Sequence, residues 1–135
     1  MLITPIYGPR VRLCKVFTDA PLVPDEPISF GVGAFCDVCM KCADTCPSRS
    51  IPQGGVADAG PTPSNNSGVR KWYINPDQCL AFWRENGIGC ANCIRSCPFN
   101  KRPGWIHDLA RRIIRARSRL INRALVFMDD VCRYG

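Results

Sequence analysis

Nowhere in the 135 residues does an apolar run approach the ~20 positions that a membrane span needs. The amino terminus, MLITPIYGPRVRLCKVF, also lacks a basic stretch leading into a continuous apolar segment, a twin-arginine pair and a small-residue cleavage site. The sequence therefore carries neither a spanning helix nor a recognisable export signal, and as given it reads as cytoplasmic. Histidine is nearly missing too. His107 stands alone, beside Asp108 at the start of a helical pattern, where it reads as a cap or surface residue rather than a ligand. With twelve prolines and eleven glycines, much of the chain must be loop, leaving little regular structure for a self-sufficient core.

What is abundant is cysteine. Eight of the ten cysteines fall between Cys36 and Cys97, so they act locally instead of stapling the whole chain. Without an export signal, that density points to a metal site and away from a disulfide framework. The formal charge of +7 counts every thiol as neutral, so thiolate ligation would bring it down.

Residues 1–35 are punctuated by Pro5, Pro9, Pro21, Pro24 and Pro27, with β-favouring runs such as VRLCKVF between them, which predicts extended strands and turns with no helix. Turn formers from Pro52 to Gly68 predict an exposed loop, and KWYIN a short strand. Asn75-Pro76-Asp77 supplies a capping side chain, a proline where the lost N–H costs nothing and an acid near the positive helix end, predicting a helix to about Glu85 with Cys79 in its first turn. After Pro103 and Gly104, the apolar residues Ile106, Leu109, Ile113, Ala116, Leu120, Ala124 and Phe127 recur every three or four positions, predicting one amphipathic helix. The expected domains are thus an extended segment over 1–35, a metal-binding unit over 36–100, and a helix with a tail over 101–135.

The stretch CDVCMKCADTCP, from Cys36 to Pro47, has the spacing C-x2-C-x2-C-x3-C-P, the run by which bacterial ferredoxins hold iron–sulfur clusters. In that run the fourth cysteine reaches a second cluster, so one run demands another. CANCIRSCP, from Cys90 to Pro98, answers it: Cys97 matches Cys46, Cys93 matches Cys42 and Cys90 matches Cys39, but Gly87 stands where Cys36 should have a counterpart. Cys79 is the nearby cysteine left to fill that place. The expectation is one 4Fe-4S cluster on Cys36, Cys39, Cys42 and Cys97, and another on Cys46, Cys79, Cys90 and Cys93, with the fourth ligands exchanged. The fold expected around them is α+β, a two-cluster bacterial ferredoxin-like core with an extended amino-terminal segment and a carboxyl-terminal amphipathic helix. A structural zinc site prefers paired C-x2-C units across a longer spacer and would not explain two proline-terminated triads. Cys14 and Cys132, isolated in sequence, read as small buried hydrophobes and not as ligands. Val38, Met40, Ile94 and Phe99 are expected to shield the clusters, and Trp72, Trp83 and Trp105 to pack.

The segments from ITPIYGPRVRLCKVF through FCDVCMKCADTCPS, then WYINPDQCLAFW, GCANCIRSCPFNK and VFMDDVCRYG, resemble the carboxyl-terminal third of corrinoid-dependent reductive dehalogenases. The resemblance implies that a larger amino-terminal region, absent here, binds a base-off cobalamin, and that the two clusters relay electrons from an external donor to the cobalt, which removes halogen from an organohalide. Relatives in that family are exported to the outer face of the cytoplasmic membrane. Met1 falls inside what is continuous sequence in them, so the expectation is a fragment of a truncated or split reading frame, inactive alone. GWIHDLA does not match the D-x-H-x-x-G pattern that replaces the lower ligand of cobalamin, in keeping with a base-off corrinoid. Two alternatives are an epoxyqueuosine reductase-like fragment and a free-standing ferredoxin-type carrier, which would leave the flanking segments unexplained. The cluster-free chain is expected to lose order from Cys36 to Cys97, because ligation energy is folding energy.

Arg111, Arg112, Arg115, Arg117, Arg119 and Arg123 interrupt the apolar stripe in the manner of a solvated or domain-facing helix surface, so nucleic acid is not an expected partner. Arg49 and Arg95, beside the ligands, are the expected screens of cluster charge.

Overall fold

The computed structural model describes residues 2–26, 28–101 and 104–132. Pro27, Pro103 and the last three residues of VFMDDVCRYG, on which parts of the sequence reading rest, lie outside the described residues. Among the described residues six α-helices follow one another: α1 (Val32–Cys39), α2 (Lys41–Asp44), α3 (Pro76–Asn86), α4 (Asn92–Arg95), α5 (Trp105–Ile114) and α6 (Arg119–Val131), with a 3-10 turn at Pro98–Asn100.

Helix α1 starts earlier than the sequence predicted and takes in Val32 to Phe35, because Gly31 turns the chain at φ 83°. A β-carbon there would collide with the carbonyl of Ile114, so only glycine lets the start of α1 lie against the end of α5. Met40 then adopts φ 50° between α1 and α2. This left-handed residue is strained by about 1–2 kcal/mol and re-aims the chain in the middle of the first cysteine run. Helix α3 forms where expected: Asn75 accepts a hydrogen bond from the Gln78 N–H at 3.1 Å, with Pro76 in the first turn. Its end is Gly87, at φ 68°, the position where the second run lacks a cysteine.

Two expectations do not hold. The single carboxyl-terminal helix is in fact two, broken by Arg117 at φ 54° and an extended Ser118. The break lets α6 turn back to pack against α1 and α5. Helical periodicity could not reveal this, because the apolar spacing continues across the turn. Nor is the strand part of the expected α+β class seen among the described residues. Among the described residues no strand forms, and the β-favouring segments reduce to isolated bridges between Thr4 and Gly8 and between Ala57 and Lys71. Strand preference measures the fit of a side chain to a neighbouring strand, and VRLCKVF finds none here; Leu13, Val16 and Phe17 are exposed.

The buried centre is small and aromatic. Phe99 meets Phe30 and Phe35 edge-to-face, with centroids 6.1 and 5.4 Å away, and Cys97 and Ile114 complete the cluster. Leu125 and Val126 of α6 pack on it. It therefore joins α1, the end of the second cysteine run and both carboxyl-terminal helices. The Pro52–Gly68 loop is gathered around the buried Tyr73, whose hydroxyl donates to the Val69 carbonyl at 2.7 Å, and Trp72 donates to the Gly54 carbonyl at 3.1 Å.

Candidate metal centre

Helix α1 presents Cys36 and Cys39 one turn apart, hence on one face. The left-handed Met40 and the short α2 place Cys42, and the turn closing α2 leads through Thr45 to Cys46 and Pro47. The second run repeats this shorter architecture, with Cys93 in α4 and Cys97 at its Cys-Pro corner, while α3 carries Cys79.

The thiols sort into two groups. Cys36 lies within electrostatic range of Cys39, Cys97 and Cys42; Cys79 has the same relation to Cys46, Cys93 and Cys90. Cys42 and Cys93 link the two groups. Cys36, Cys39, Cys42 and Cys97 share the wall of one cavity of about 160 Å³, with Met40 and Phe99 among its other lining residues. None of the ten cysteines is in a disulfide. Among the described residues no three His, Cys, Asp or Glu side chains converge closely enough to hold a single ion. Four thiolates around one zinc stand only about 3.8 Å apart, given bonds of ~2.3 Å. A cube of four irons spreads its donors wider. Donor chemistry and the shared cavity thus suit a cluster.

Electrostatics differ between the groups. Burial, and then the neighbouring thiols, push Cys36 up to about 12. Cys97 is pushed up to about 11 by burial, against the opposing N–H groups of Phe99 and Asn100. Burial likewise raises Cys39, Cys42, Cys79 and Cys93. These sites favour neutral thiols until a cationic centre displaces the protons. Cys46 is the exception. Burial pushes it up, but the Ser48 hydroxyl and the N–H groups of Ser50, Ile51 and Ser48 together outweigh that and hold it below the ordinary range.

Three features went unread in the sequence. Lys41, between two cysteines of the first run, forms ion pairs with Asp129 and, at 2.7 Å, Asp130 of α6, and Lys101 approaches Asp129 at 3.5 Å. Lys41 and Asp129 are each only about one-sixth exposed. Although burial opposes it, the two carboxylates hold Lys41 protonated above its usual range. Secondly, Thr45 donates to Ser96 at 2.9 Å. Both immediately precede a Cys-Pro corner, a correspondence the alignment of the two runs could have flagged. The third is the pair of hydroxyls at Ser48 and Ser50 beside Cys46.

Of the expected supporting residues, Phe99 is buried and Val38, Met40 and Ile94 are half-buried. Arg49 and Arg95 are exposed, and the cation acting on Cys39 is Lys41. Cys14 and Cys132 are exposed, not buried, and Trp83 and Trp105 are 42% and 77% exposed, so neither packs as anticipated. His107 is half-buried in α5. Among the described residues, no helix is long and apolar enough to cross a membrane.

Residues 35–100 match the family described as a 4Fe-4S double cluster binding domain. The chain is 45% identical over 98% of its length to the tetrachloroethene reductive dehalogenase of Sulfurospirillum multivorans, spanning 26% of that protein. It superimposes on the solved structure of a catabolic reductive dehalogenase with a TM-score of 0.79 and 26% identity, over 97% of this chain and 18% of that one. Similarity to the epoxyqueuosine reductase of Bacillus subtilis is weaker, at 32% over 75% of this chain and 25% of that protein. The chain thus spans about a quarter or less of the length of the relatives it matches. By sequence, fold and its double 4Fe-4S domain, this chain belongs with the carboxyl-terminal iron–sulfur region of the reductive dehalogenases.

Proposed function

We propose that the chain is the electron-relay portion of a corrinoid-dependent reductive dehalogenase, in which Cys36, Cys39, Cys42 and Cys97 ligate one 4Fe-4S cluster and Cys46, Cys79, Cys90 and Cys93 the other. One observation carries the reading: eight thiols fall into two adjoining groups of four, and the first four line a common cavity. When bound, the clusters supply one-electron transfer. The protein's own part is to position the sulfurs and to exclude water, through Phe35, Phe99 and Met40 around the first quartet. The second quartet, with the less buried thiols, faces the external donor.

The receiving partner is a corrinoid-binding region, and the substrate of the whole enzyme an organohalide. Large apolar side chains at Leu13, Phe17, Val23, Trp105, Leu120 and Phe127 are exposed, more than an independent carrier would leave to water, and they supply a surface for that region. The six arginines are divided between α5, α6 and the turn joining them; Arg111 pairs with Asp108 at 3.4 Å and Arg117 donates to Ser29 at 2.8 Å.

Anaerobic reconstitution tests the ligand reading. About eight iron and eight acid-labile sulfide per chain are expected, from two cubes of four each. Zinc, or disulfides among the eight cysteines, would overturn it. The chain alone, supplied with cobalamin and a chemical reductant, should release halide from an organohalide no faster than the same mixture without protein; a faster release would refute the relay-only role.

A further inference from the structure

The two Cys-Pro corners are equivalent in the repeat but differ just after the proline. Ser48 follows Pro47, whereas Phe99 follows Pro98. The phenyl ring of Phe99 is buried against Phe30 and Phe35, so at this place the first quartet gains an apolar wall. At the corresponding place beside Cys46, the Ser48 hydroxyl lies 3.4 Å from the sulfur, and the Ser50 hydroxyl lies 2.6 Å from that of Ser48. Ser50 is 3% exposed, and its backbone carbonyl is held by the N–H of Asn75 at 2.8 Å, which fixes the end of the chain of hydroxyls.

Ligation settles the direction of these bonds. A thiolate sulfur has no proton and only accepts, so Ser48 donates to Cys46; its one proton thus committed, Ser48 accepts from Ser50. A donor aimed at a ligand sulfur stabilises the extra negative charge of the reduced state, and here the half-buried Ser48 hydroxyl is held in place by the buried Ser50, which lowers the cost of reorganisation. We propose that Ser50 and Ser48 form a hydroxyl relay to Cys46 that raises the midpoint potential of the cluster on Cys46, Cys79, Cys90 and Cys93, and so makes the two clusters electrically unequal. This rests on the ligand reading above and adds the residues that set the order of potentials.

The test is a potentiometric titration, followed by electron paramagnetic resonance, of the full cluster-loaded chain, with iron and sulfide counted for each variant. Cys79→Ser, which alters a ligand of the second quartet alone, identifies which signal is which. Ser48→Ala should shift that cluster's midpoint to more negative values and leave the other unmoved. Ser50→Ala should shift it the same way by less, and Ser48→Thr, which keeps the donor, should restore it. Should Ser48→Ala fail to load, the Ser50→Ala shift decides. Full loading with no shift in the second-quartet midpoint, or equal shifts in both, overturns the relay. A wild-type chain that does not bind two cubes instead overturns the ligand reading beneath it.

Discussion

The two quartets are built from nearly the same sequence and end in different surroundings. The first is sunk against the aromatic cluster, where burial pushes Cys36 and Cys97 up; the second is half-buried and has Cys46 surrounded by donors. Cysteine spacing determines which atoms are bound. The residues packed around each group determine how firmly, and at what energetic cost, they are held.

The largest contrast should come from removing one ligand at each site. Cys36→Ala should abolish the first cluster, lower iron by about half (one of two cubes) and loosen α1, because its apolar cavity would stand without the centre that fills it. Cys79→Ala should also lower iron by about half but disturb far-ultraviolet circular dichroism less, since α3 is capped by its own Asn75. Equal losses of helicity would erase the distinction drawn between the sites.

Acidity should separate them next. Bound sulfurs must be thiolates, and a raised pKa means a proton held more tightly, so loading of the first quartet is disfavoured at neutral pH and recovers as pH rises toward the values of about 11 and 12 at Cys97 and Cys36. Cys46, shifted the other way, eases loading of the second. Reconstitution at successively lower pH should therefore empty the first quartet's resonance signal before the second's. The reverse order would mean that burial is not the dominant cost.

Lys41 distinguishes the quartets more subtly, because its ion pairs with Asp129 and Asp130 tie only the first run to α6. Lys41→Met should cost about 2 kcal/mol, between the worth of an exposed pair and the loss on breaking a buried one. Adding Asp129→Leu should recover part of that, as read by denaturant unfolding of the loaded chain. The smallest effect belongs to the contact shared by both runs: Thr45→Val should cost only about 0.5–1 kcal/mol, an ordinary exposed hydrogen bond, and should broaden the magnetic coupling between the clusters without changing iron content.

Local sequence carried much of this site and less of the fold. The double 4Fe-4S domain and the Asn75 cap were readable because ligand spacing and capping operate within a few residues. The Lys41–Asp129 pair joins positions 88 apart, and no periodicity reports such a meeting. The turn at Arg117 was hidden because arginine ordinarily favours a helix and the apolar spacing ran on through it. Strands were expected from side-chain type alone, whereas a strand exists only where a second backbone accepts it. The hydroxyls of Ser48 and Ser50 were invisible for a simpler reason: serine after a proline is common, and only the folded corner shows that these two aim at sulfur.

The meeting of Thr45 with Ser96 has one more implication. Where a duplicated motif folds into two facing halves, a residue touching its own counterpart occupies the seam of the duplication. Ser96 makes that contact from its own half, whereas Thr45 also donates to the Lys41 carbonyl at 2.7 Å, so a larger side chain at 96 is the one expected to change the spacing of the halves with less effect inside either. That seam is the place where tunnelling distance between the metal centres is adjustable by a single substitution, independently of what either centre is bound to.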